Sequence, residues 1–225
     1  MAVVWAVVVA GGSGTRFGSP KQFAVLGGRP VVAWAVEACR SVADGVVLVV
    51  PGHEPSGRPG PTYGADAVVP GGDSRSESVR RGLAALPDRV DLVVVHDAAR
   101  PLATAQSFRA VVDALADGRA GGAVCALAVA DTVKRTDRPL GAPGPSTAPV
   151  VVETLDRSHL VAVQTPQAFP LDVLRRAHAA SPVATDDAGL VEALGLVVRV
   201  VPGDPDNLKL TTPADLAYAE QVCRA

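Results

Sequence analysis

Residues 3–22 read VVWAVVVAGGSGTRFGSPKQ, a continuous apolar, β-branched run that breaks abruptly into glycines. The run suits a strand covered on both faces, as in a parallel sheet. The opening MAVVWAVVVA lacks a basic segment and feeds straight into the Gly-rich turn, so it reads as a buried strand and not as a signal peptide. Glycines at the carboxyl end of such a strand let backbone N–H groups curl around an anion. The dinucleotide fingerprint fails here, because its third glycine falls on Phe17. The P-loop fails too, since Lys21 stands between Pro20 and Gln22. What remains is a glycine loop carrying Arg16 and Lys21, two cations suited to neutralising a triphosphate during displacement.

Outward from this loop, helical and strand patterns alternate. Helices are expected at 30–41, 74–86, 105–116, 171–180, 185–194 and 213–223, the last with Thr212 as N-cap. Strands are expected at 46–50, 67–69, 92–95, 122–129 and 196–201. That order predicts a three-layer, Rossmann-like α/β fold: a mostly parallel sheet with helices on both faces. Residues 131–155 break the rhythm with TDRPLGAPGPSTAP, too poor in apolar residues for a core. They are expected to form a protruding arm on a single domain spanning 1–225.

Composition narrows the function classes. The 225 residues carry a formal charge of −2, with 48% hydrophobic, 20% charged and 4% aromatic residues. That balance excludes a largely disordered chain and a globally basic nucleic-acid binder. No apolar run is long enough for a membrane span. Ala (38) and Val (39) dominate, so the core should be built from small side chains. Cys39, Cys125 and Cys223 are far apart and odd in number, which fits a reducing cytoplasm. His53, His96, His159 and His178 show no ligand spacing, and no HExxH or supported Ser-His-Asp set occurs. Arg outnumbers Lys 18 to 3, so Lys21, Lys134 and Lys209 mark places where a compact ammonium is wanted; at least two should be functional.

Two more constellations carry chemistry. VVVHDAARP (93–101) ends a strand in Asp97, followed by Arg100. An acid there lies in the crevice where such sheets bind ligands, and one carboxylate with phosphate oxygens and waters can hold Mg²⁺. His96 should point away from Asp97 and serve the structure. PGGDSRSESV (70–79) feeds a glycine turn into a helix start crowded with Asp73, Ser74, Arg75, Ser76 and Ser78, more than capping needs. Such groups could read a base edge. Polar clusters at Asp131–Lys134, Asp156-Arg157 with Gln164–Gln167, Thr185–Asp187 and Asp206–Thr211 follow.

AGGSGTRFGSPKQF, VPGGDSRSESVRRGL, VVHDAARP, DTVKR, LDRSHLVAVQTPQAF, TDDAGLVEALG and DNLKLTTPADLAYAE succeed one another from residue 3 to about 221. In this the chain resembles the 2-C-methyl-D-erythritol 4-phosphate cytidylyltransferase family. The resemblance implies transfer of a cytidylyl group from CTP to that polyol phosphate, with release of pyrophosphate, in the non-mevalonate isoprenoid pathway. The alternative is another polyol phosphate, such as ribitol 5-phosphate, whose cytidylyltransferases share much of the pattern. By motif, Arg16, Lys21 and Lys209 are the catalytic cations, the first two at the α-phosphate. Ala10, Gly11, Gly12, Ser13, Gly14, Gly72, Asp73 and Ser78 are the nucleotide readers. Asp97, Arg100, Thr132, Arg157 and Thr185 are the substrate-side residues, with Asp97 also near an Mg²⁺ or another hard divalent cation. The resemblance further implies a cytoplasmic homodimer in which the 131–155 arm crosses to the second subunit and helps complete its site, with Thr132 and Arg157 then serving the partner's site. Val161 stands where the family often has Trp.

Overall fold

The computed structural model describes residues 2–11, 20–52, 62–141, 148–180 and 184–224. In chain order the elements are β1 (Val4–Val9), β2 (Val25–Leu26), β3 (Arg29–Pro30), α1 (Val31–Cys39), β4 (Gly45–Val50), β5 (Ala67–Pro70), α2 (Arg75–Ala84) and β6 (Leu92–Asp97). They continue with α3 (Ala105–Asp113), β7 (Gly122–Ala128), β8 (Lys134–Thr136), β9 (Val151–Thr154), β10 (Val161–Pro170), α4 (Leu171–His178), α5 (Ala188–Glu192), β11 (Val198–Pro202) and α6 (Pro213–Val222).

A seven-stranded sheet runs in the order β11-β7-β10-β6-β1-β4-β5. The pairs β1–β4, β1–β6, β4–β5 and β7–β11 are parallel, whereas β10 lies antiparallel between β6 and β7. The expected mostly parallel sheet is therefore present, with one strand added to the sequence reading. The motif LVAVQTPQAF (160–169) carried no strand expectation. Its Gln-Thr-Pro-Gln interruption reads as a breaker, and β10 accommodates it by a shift of register between Val163 and Gln167.

Alternation along each strand sorts side chains to two helical layers, as period-two geometry requires. Ala6, Val8, Leu48 and Val94 face α1 and α3 through Val32, Ala35, Val36, Phe108 and Val111. Val7, Val47, Val49, Val93 and Val95 face α2, α4 and α5 through Val79, Leu83, Leu174 and Val191. The core is indeed mostly Val and Ala, with Phe108 and Phe169 as its large members. Small side chains bring the layers close. A Cβ added to Gly82 of α2 would lie 2.4 Å from a Val7 methyl.

The polar segments depart from the sequence expectation in ways that matter. The helix expected at 185–194 spans only Ala188–Glu192, which leaves Thr185–Asp187 as a turn. Within 131–155, β8 and β9 form their own two-stranded antiparallel ladder, separate from the main sheet and exposed throughout. At the other end, α6 begins with a reciprocal cap between Thr212 and Asp215, as the sequence suggests. The three cysteines are free, two of them buried. Among the described residues no helix is long and apolar enough to cross a membrane.

Candidate active site

β6 delivers Asp97 at its carboxyl end, where the Thr165 hydroxyl accepts a hydrogen bond from the Asp97 N–H at 3.0 Å. The carboxylate is not used as a cap. Arg75 Nε lies 3.2 Å from its Oδ1 and Lys209 Nζ 2.6 Å from its Oδ2. Burial disfavours the charged form, but Arg75, Lys209 and Arg100 overcome it and hold the carboxyl well below its ordinary range. His96 turns the opposite way, fully buried against Phe108, with its ring nitrogens 3.1 Å from Thr165 Oγ1 and the Arg100 carbonyl. That geometry matches its structural reading.

Around Asp97 opens a cleft of about 210 Å³ lined by Arg75, Arg100, Lys209, Gln164, Thr165, Gln167, Val163, Thr185 and Asp186. Most of their polar groups are held from elsewhere in the fold. Arg100 donates to the Asn207 carbonyl at 2.7 Å, and Leu210 N–H donates to the Ala99 carbonyl at 2.8 Å, which anchors the segment bearing Lys209. Gln164 and Asn207 knit the same segment to β10. Gln167 donates to Asp186, which in turn accepts from Gly189 N–H. Arg75 extends a second donor to buried Asp187 at 2.7 Å. Three cations against two carboxylates leave the lining net positive, a surface complementary to phosphate.

The same donor set tests the expected Mg²⁺. Asp97 offers one carboxylate with both oxygens already engaged by cations. Among the described residues no group of three or more His, Cys, Asp or Glu could hold a metal ion. These residues do not fit a protein-held divalent cation, and Asp97 as a metal ligand does not fit this arrangement.

The family model for 2-C-methyl-D-erythritol 4-phosphate cytidylyltransferase matches residues 4–225. The chain belongs to that family. It is 45% identical to the 2-C-methyl-D-erythritol 4-phosphate cytidylyltransferase of Streptomyces coelicolor, over 96% of this chain and 83% of that protein. Its identity to the enzyme of the same name from Nocardia farcinica is 46%, over 97% and 93%. The crystal structure of 2-C-methyl-D-erythritol 4-phosphate cytidylyltransferase from Thermus thermophilus superposes with a TM-score of 0.79 at 34% identity, covering both chains fully.

In this 2-C-methyl-D-erythritol 4-phosphate cytidylyltransferase fold, the expected residues are placed differently from one another. Asp97, Arg100, Thr185 and Lys209 converge on the cleft. Ala10, Gly11, Gly72, Asp73 and Ser78 are not among the residues that line it. A Cβ on Gly11 would meet Ser78 Oγ at 3.1 Å, and Ser78 Oγ itself accepts from Gly72 N–H and donates to the Ser74 carbonyl. Asp73 N–H donates to Glu77, and Ser74 caps α2. Much of the hydroxyl crowding in this stretch thus builds the turn. Lys21 opens a single 3-10 turn, Lys21–Phe23, and is half-buried. Gly12, Ser13, Gly14 and Arg16 lie outside the described residues.

Thr132 and Arg157 are exposed and do not line the cleft of their own chain. Lys134 bonds Thr154 across the β8–β9 ladder, so among the described residues it serves the ladder and not the cleft. Sequence reasoning gave no specific role to Gln164, Thr165 or Gln167, and it assigned Arg75 to base reading. The available signal was polarity itself: QTPQ interrupts an apolar strand beside the strand that ends in Asp97.

Proposed function

We infer that this chain transfers the cytidylyl group of CTP to 2-C-methyl-D-erythritol 4-phosphate, giving the 4-diphosphocytidyl product and pyrophosphate. Membership of the family supports the reaction. The observation that carries it is the convergence of Arg75, Arg100 and Lys209 around Asp97 in one cleft, with Thr185 at its edge. Such a cleft suits an acceptor that is an anion at one end and a polyol at the other.

The acceptor already bears a phosphate, so its nucleophilic oxygen needs no deprotonation. That oxygen forms a bond to the α-phosphorus of CTP as the bond to pyrophosphate breaks in line with it. The barrier lies in bringing two anions together. Catalysis is therefore positioning plus charge neutralisation by preorganised cations. Lys209 and Arg100 hold the acceptor phosphate; Arg16 and Lys21 neutralise charge at the α-phosphate. The turn of Gly72, Asp73 and Ser78, beside Ala10 and Gly11, reads the nucleotide. A hard divalent cation, if required, would add charge neutralisation at the triphosphate of CTP, and the described carboxylates of the cleft are already engaged by Arg75, Lys209 and Gln167.

The chain works in this reading as one cytoplasmic domain, 1–225, paired with a second copy through the arm at 131–155. Exposed Val150, Val151 and Val152 at the β8–β9 ladder support that pairing, since adjacent exposed apolar side chains favour a partner. Thr132 and Arg157 then serve the partner's cleft. The decisive experiment is an acceptor screen with CTP and Mg²⁺, reading pyrophosphate. Release is expected with 2-C-methyl-D-erythritol 4-phosphate. Faster release with ribitol 5-phosphate would overturn the substrate assignment.

A further inference from the structure

We propose that Arg75 is a positioning residue for the acceptor half of the reaction, locking the Thr185–Asp187 turn and Asp97 into one fixed relation across the cleft. The chemistry of the acceptor rests on the function proposed above; the geometry does not.

Arg75 is the first residue of α2 and projects over the carboxyl end of β6. Its guanidinium spans two carboxylates that are 90 residues apart in sequence: Nε lies 3.2 Å from Asp97 and Nη1 lies 2.7 Å from Asp187. The next residue, Ser76, grips the other end of the same turn. Its hydroxyl accepts from Ala184 N–H at 3.1 Å and donates to the Ala184 carbonyl at 3.4 Å. Two consecutive residues of one helical turn therefore clamp residues 184 and 187. Between the clamped points lie Thr185 and Asp186, both lining the cleft.

A simpler account would have Arg75 merely neutralise buried Asp187. Asp187 already has His178, whose Nε2 lies 2.9 Å from its other oxygen. Asp97 likewise already has Lys209. Arg75 is the one group among the described residues that joins these two pairs. Only a planar fork with separated donors can do so, because a lysine ammonium is a point charge on a flexible stem. Burial opposes the charge on Arg75, yet Asp187 and Asp97 raise its pKa above the usual arginine value, so the bridge stays ionised. The turn preceding Arg75 carries Gly72 and Asp73, so the first turn of α2 is where the nucleotide half of the site meets the acceptor half.

The test compares R75K and the paired variant R75Q/D187N with the unaltered protein. The pair removes a buried charge together with its partner and leaves no unpaired carboxylate, so it guards against a variant that simply fails to fold. Steady-state kinetics with CTP and 2-C-methyl-D-erythritol 4-phosphate should show kcat/KM for the acceptor falling on the order of 10–100-fold in both variants. Most of the loss should sit in the acceptor KM, with the KM for CTP changed by less than about twofold. R75K with an unaltered acceptor KM would overturn the proposal. So would an equal rise in both KM values, which would mean a loosened fold. Absence of transfer by the unaltered protein would instead sink the proposed function. Amide exchange then still decides: residues 184–188 should exchange at least about tenfold faster in R75K while the strand amides stay protected. Unchanged exchange in that turn would refute the clamp.

Discussion

The ammonium of Lys209 sits 2.6 Å from Oδ2 of Asp97, although the two residues are 112 positions apart. Their exposures are unequal: the Asp97 side chain is 10% exposed and that of Lys209 41%. Both line the cleft, and the ammonium is the more accessible of the two. Lys209→Ala should lower kcat/KM for the acceptor on the order of 10²–10³-fold, chiefly through KM. Titrating each substrate separately checks it. An effect confined to CTP would contradict the placement of Lys209 on the acceptor side.

Lys21 is expected to act on the other half of the reaction. Lys21→Ala should cut turnover on the order of 10²–10³-fold while the fold survives, because a preorganised cation matters most at the transition state. Turnover close to that of the unaltered enzyme would remove Lys21 from the mechanism.

Stability should depend on pH through His96. Burial pushes its pKa down from 6.5 to about 4, against the opposing pull of Asp97. Between those values the unfolded chain binds a proton that the folded chain refuses. Stability is therefore complete above about pH 6.5 and falls as the pH drops toward 4, by on the order of 3 kcal/mol in all. Asp97 works outside that window: its lowered pKa contributes stability that is lost only in stronger acid. Urea unfolding of His96→Gln across pH 4–7 should give a flatter curve than the unaltered protein. Parallel curves would assign the dependence to another group.

Gly82→Ala sets two effects against each other. Alanine favours a helix by about 1 kcal/mol over glycine. The added methyl would, however, lie 2.4 Å from Val7 and 3.0 Å from Val49, both fixed in the sheet. Overpacking of that kind costs about 1–3 kcal/mol. A net loss on the order of 1 kcal/mol is expected in urea unfolding. A gain would mean that α2 slides freely over β1.

The strands β1, β4, β5, β6 and β7 were legible in sequence because valine runs bounded by glycine, proline or aspartate have few other uses. Asp97 was legible as an acid at a strand end and Lys209 as a rare lysine in a polar stretch, whereas Arg100 and Thr185 took their roles only from the family resemblance. β10 was not legible, since Pro166 argues against a central strand and only the tolerance of its neighbours admits it. Arg75 was legible as a polar residue but not as a bridge. Its partners lie 22 and 112 positions away, and local pattern holds no trace of contacts that distant. The truncation of α5 has the same origin: Asp187 is drawn toward Arg75 and His178 instead of opening the helix three residues earlier.

The reversed strand also sets when one edge of β6 can be covered as the chain is made. β6 ends at Asp97, but the strand that closes its second edge pairs through residues 167–170. At a synthesis speed of about 5–20 residues per second, that valine-rich edge stands open for on the order of 4–15 s. Until residues 167–170 arrive, the unpaired N–H and C=O groups along that edge of β6 can pair with another strand, which is a route to aggregation.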